Sequence, residues 1–82
     1  MRVKTMKHYY YVQVIDKNAP KFITSVDYTT KCAKWEKDKA FKQFSTLASA
    51  KNIAMGLCCN GYYAYVVTSI IPLEFTNEQI NK

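Results

Sequence analysis

Aromatic and β-branched residues fill the segment from His8 to Ile15 almost without interruption, a composition suited to an extended, half-buried strand. Turn formers follow at Asp16-Lys17-Asn18-Ala19-Pro20-Lys21, and a second run of the same kind extends from Phe22 to Thr29. Two strands joined by a short loop predict an N-terminal hairpin. From Thr30 to Phe44 the apolar positions Trp35, Ala40, Phe41 and Phe44 fit neither the strand period nor the helix period. This segment is expected to be a loop with a short edge strand near Lys39 to Phe44, a helix from Ala33 to Gln43 being the alternative. Leu47, Ala50, Ala54 and Leu57 then recur at helical spacing, behind Ser45 and Thr46 as N-cap candidates and ahead of Asn60-Gly61 as a stop. They predict one helix of about three turns. Tyr62 to Ile71 forms a further strand closed by Pro72, and Thr76 with Gln79 has the spacing of a capping box for a single helical turn in the tail.

The predicted class is α+β: an N-terminal hairpin, a short third strand, one helix packed on one face of a three- to four-stranded antiparallel sheet, and a C-terminal strand. Residues 1–82 form a single domain, with residues 1–6 as an N-terminal tail and 73–82 as a C-terminal tail. Alternation along the strands has a consequence for both faces. Tyr9, Tyr11, Gln13 and Ile15 share one face of the first strand, and Tyr63, Tyr65 and Val67 share one face of the last. His8, Tyr10, Val12 and Val14 lie opposite, with Tyr62, Ala64 and Val66. Both faces are apolar or aromatic, and one helix covers only one of them. The other face requires an explanation.

Length and charge narrow the explanations. With 82 residues there is no room for a catalytic domain beside a cofactor domain, and a 49% hydrophobic content is too high for a disordered chain. A domain this small buries only about 60% of its unfolded surface or a little more, so self-association is a natural source of added stability. The basic start at Arg2, Lys4 and Lys7 is followed by Gln13 and Asp16 before an apolar run becomes long enough for a signal peptide, and Met6 is an alternative start. No apolar run reaches the roughly 18 residues of a membrane span, so a soluble, cytoplasmic protein without membrane contact is expected. Cys32, Cys58 and Cys59 are odd in number and are read as reduced thiols; with His8 they do not make a zinc-ligand spacing, and no metal or cofactor is expected.

Phosphate-binding, dinucleotide-binding and hydrolase motifs are missing from the sequence, and no second acid or base accompanies His8, so an enzyme is not expected. Three uses compete for the second sheet face. Tyr9, Tyr11, Tyr63 and Tyr65 can stack across strands on an open surface; they can form, with Trp35, an interface to a host protein or to a second copy; or they can stack unpaired bases. The net charge of +6 bears on the last use. Lys31, Lys34, Lys37, Lys39 and Lys42 fall in one segment with only Glu36 and Asp38 against them, which favours a polyanion. Arg2 is the only arginine, however, and bidentate base reading favours the guanidinium, so contact with nucleic acid is limited to a non-specific backbone mode.

With Trp35, Lys39-Ala40, Phe44-Ser45-Thr46, Ala50 and Ile53-Ala54 in view, the chain resembles small accessory proteins encoded by phages and prophages of low-GC Gram-positive bacteria. These combine an N-terminal hairpin, a Trp-to-Phe segment of variable spacer, a helix with spaced alanines and a final strand. The resemblance spans about His8 to Ile71, rests on packing positions and carries over no catalytic residue. It implies a protein that binds a host factor, such as a component of a defence system, and a basic surface disfavours mimicry of DNA. The combined expectation is a non-enzymatic, homodimeric binding protein acting through its Tyr-rich sheet face, with a weak Lys-driven single-stranded nucleic-acid binder as the alternative.

Overall fold

The computed structural model describes residues 7–30, 32–74, 76 and 77. Strands β1 (Tyr9–Asp16), β2 (Ala19–Phe22), β3 (Ser25–Asp27) and β4 (Cys32–Lys34) precede helix α1 (Leu47–Cys59), and β5 (Tyr63–Ser69) closes the order. β1 is the centre of a three-stranded antiparallel sheet of order β2-β1-β5, and β3 pairs with β4 in a separate two-stranded sheet. The α+β class read from the sequence is the architecture observed.

The hairpin turn is tighter than the run of turn formers suggests. Lys17 and Asn18 both have positive φ, 53° and 65°, as a two-residue turn matched to strand twist requires. Pro20 therefore lies inside β2, opposite Ile15, on an edge strand where a missing N–H is tolerated. The second predicted strand is divided. Ile23 donates to Val12 O and ends the pairing with β1, and the chain then turns away to form β3.

The short strand expected at Lys39 to Phe44 is reduced to one bridge, Phe44 with Tyr10. The real extra strand is β4, at Cys32–Lys34, because Asp27 accepts the amide hydrogens of Thr29 and Thr30 and folds the chain back early. No helix forms between Ala33 and Gln43. Helix α1 matches its expected span. Thr46 caps it by accepting from Ser49 N at 3.1 Å, and Gly61, with φ of 92°, lets the chain leave after Asn60. Of the tail turn expected at residues 76–79, all but Thr76 and Asn77 lies outside the described residues, as does the N-terminal tail of residues 1–6.

Two cores result, one on each side of β1. Val12, Val14 and Ala64 meet Ala50, Ala54 and Leu57 of α1, with Ile23 and Phe44 closing the ends. On the opposite face Tyr11, Phe22 and Phe41 form a second cluster, with Tyr9, Val67 and Leu73 packed against it. The Phe22 and Phe41 rings stack at 4.4 Å, and Tyr11 meets both edge-on.

Candidate functional site

The second core corrects the expectation of an open Tyr face. Tyr11 is 0% exposed, and its hydroxyl accepts from Leu73 N at 2.8 Å. Phe41 and the segment after β5 do the covering that the single helix could not. Tyr9 is half-buried beside them. The open part of this face is confined to one end, where Tyr63 is 70% exposed and Tyr65 38%. Their rings lie 5.8 Å apart, and the Tyr65 hydroxyl donates to Gln13 Oε1 at 2.6 Å.

Trp35 is not on this face. It packs against the helix-side core, meets Tyr62 edge-on at 5.1 Å, and its indole N–H donates to Asp16 Oδ2 at 2.9 Å. Trp35 and Tyr62 floor a groove of about 790 Å³ between α1 and the β3–β4 hairpin, walled by Tyr28, Ile53 and Gly56. The five interface candidates are thus divided into one interior residue, one half-buried residue, one residue of the groove floor and an exposed pair.

What the structure brings together is a different surface. Strand β5 pairs with β1 on one side only, and no described strand lies along its other edge. Tyr10 O and Val12 O accept from Phe44 and Ile23, away from β5, so the β1 residues bonded to β5 are Tyr11, Gln13 and Ile15. By alternation Ala64, Val66 and Thr68 turn their backbone groups outward from the sheet. Beside this edge the outer flank of α1 exposes Met55, at 63%, together with Cys58 and Cys59. A second groove of about 540 Å³ runs between them, lined by Lys51, Met55, Cys58, Tyr65 and Val66. The Cys58 thiol donates to Ala64 O at 3.4 Å, tying the helix flank to the strand.

The opposite edge of the sheet is closed. On β2, Pro20 has no N–H to offer and the outward groups of Phe22 are occupied by the Asn77 side chain. Native sheets blunt their edges by such devices, and β5, with no charge, proline or covering element among the described residues, has none.

The lysine candidates lie apart from this surface. Lys34, on β4, and Lys37 and Lys39, in the loop after it, are exposed, while Lys42 is held with its ammonium over the rings of Tyr28 and Phe44 at 5.6 and 5.4 Å. Lys31 lies outside the described residues. No three His, Cys, Asp or Glu side chains gather into a metal-binding group among the described residues, and none of their helices is long and apolar enough to cross a membrane.

The signal for the β5 surface was present in the sequence. From Asn52 to Leu73 the chain contains no Asp, Glu, Lys or Arg, although 22% of its residues are charged. Among the described residues, every exposed large hydrophobic except Tyr28 falls between Leu47 and Ile71. Composition averaged over the chain conceals this segregation. No protein-family model, no curated protein and no solved structure matches the chain.

Proposed function

We propose that the protein is a non-enzymatic binding module that acts by protein–protein contact through the uncharged surface of α1 and β5. The reading rests on one coincidence: among the described residues, the large apolar side chains that remain in solvent all lie in the stretch without charge, except Tyr28 and Leu47. An interface core is depleted of charge and enriched in Tyr and Met, as this surface is. The lysines of β4 and the following loop, set apart from that surface, keep the chain dispersed and favour encounter with acidic partners. By its resemblance to phage accessory proteins, the partner is a bacterial host factor or a second copy of the chain, met in the host cytoplasm.

Capture from a lysate of a low-GC Gram-positive bacterium, with and without nuclease, tests this reading. The expected result is a protein recovered in both conditions and lost from the double variant Tyr63→Ala, Tyr65→Ala. Recovery of nucleic acid alone, released by salt and abolished by Lys34→Ala, Lys37→Ala and Lys42→Ala together, overturns it in favour of a Lys-driven single-strand binder.

A further inference from the structure

Resting on the reading of the α1–β5 surface as a protein-binding one, we infer that its occupant is a second copy of this chain, joined edge to edge through β5 about a two-fold axis at Val66. Both long edges of the sheet offer backbone groups, but among the described residues only one is left unprotected. On β2, Pro20 has no outward N–H and the Asn77 amide occupies both outward groups of Phe22. On β5, Val66 and Thr68 keep theirs and Ala64 keeps its N–H, while the Ala64 carbonyl, which accepts from the Cys58 thiol, has a second lone pair; an antiparallel pair centred on Val66 sets Ala64 against Thr68 of the other copy and uses these groups. The same register places Tyr65 beside Val67 of the other copy on the face of the second core, an aromatic against a β-branched residue, which is a favourable cross-strand pair.

Charge selects a second copy over an unrelated partner. A chain with a net charge of +6 repels its own copies unless the contact lies where its charge is absent. From Asn52 to Leu73 it is absent, and Lys51 alone stands at the margin of the groove. A partner selected for its acidic character would instead find its complement around Lys34, Lys37 and Lys39, away from this edge. In the dimer the two α1 helices lie on one face of a continuous six-stranded sheet, each covering the Met55 flank of the other.

Sedimentation equilibrium across the micromolar range, with far-UV circular dichroism as the check on folding, tests the assignment. The wild type is expected at twice the chain mass. Thr68→Pro removes an outward N–H while leaving the ladder to β1 intact, and Met55→Lys adds charge to the flank without touching the strand; each is expected to weaken association at least tenfold in a folded protein. A wild type that is monomeric throughout, or a folded Thr68→Pro that dimerises as the wild type does, overturns the inference. Should Thr68→Pro fail to fold, Met55→Lys decides alone, and undiminished dimerisation overturns it. A monomer that still captures a host protein removes the dimer and leaves the binding reading standing, which separates the two.

Discussion

The side chain of Asn77 completes the backbone of Phe22: its Oδ1 accepts the Phe22 amide hydrogen at 2.7 Å and its Nδ2 donates to the Phe22 carbonyl at 2.9 Å. The same Nδ2 donates to Glu36 O at 3.0 Å, so a fully buried amide joins the tail to β2 and to the loop after β4. An amide has the donor and acceptor geometry of a peptide group, and here it replaces the next strand.

Asn77→Ala leaves both buried Phe22 groups unsatisfied, and a loss of about 1–3 kcal/mol is expected in urea denaturation. It also uncovers the edge of β2, so the variant should aggregate more readily on heating. An unchanged urea midpoint would show that the tail does not hold this edge.

The tyrosines differ in their structural importance. Tyr11→Ala empties a site enclosed by Phe22 and Phe41, with an expected cost of about 3–5 kcal/mol, whereas Tyr11→Phe loses only the bond from Leu73 N, about 1 kcal/mol. Tyr63→Ala, at an open position, should stay within about 0.5 kcal/mol in the monomeric state. Similar losses for Tyr11→Ala and Tyr63→Ala would contradict the burial described.

Trp35 and Asp16 should be energetically coupled. Trp35→Phe removes the indole N–H, Asp16→Ala removes its acceptor, and the double variant is expected to cost less than the sum of the two by about 1 kcal/mol. Additive losses would mean that the bond contributes nothing to stability.

The hydrogen bonds from Thr29 N and then Thr30 N hold the Asp27 carboxyl below its ordinary value, and Lys34 adds to them. A lowered folded value means that the stabilisation is present above the unfolded value and is lost as pH falls through the folded one. An NMR titration should place the Asp27 midpoint under that of a free aspartate, and the turn between β3 and β4 should loosen as pH falls through that midpoint. A midpoint at or above the free value would refute the turn.

The elements with a strong local signature were legible: β1 and β5 from their aromatic and β-branched runs, and α1 from the spacing of Ala50, Ala54 and Leu57 together with Thr46 and Gly61. The turn at Lys17-Asn18 was read as wider than it is, because Pro20 punctuates a sequence even where an outward-facing edge position accommodates it. The cover over Tyr11 was not legible. Phe41 has no periodic companion, and Leu73 and Asn77 act at separations that no local pattern encodes. The interaction surface lay between these extremes: its lack of charge is plain in the sequence, but the meaning of that lack depends on knowing that β5 is an edge.

The order β2-β1-β5 also dictates a sequence of events in folding. A two-residue turn allows β1 and β2 to find each other by local search, yet the other side of β1 waits for a strand that is made some fifty to sixty positions later, from Ile15 opposite Tyr63 to Tyr9 opposite Ser69. Loop closure on that scale is slow beside hairpin formation. On the ribosome the central strand emerges first and stays unpaired on one side until the helix and β5 have followed. Both cores lack members until β5 and Leu73 have followed, so the nascent chain is most vulnerable to misassociation in the interval before they emerge.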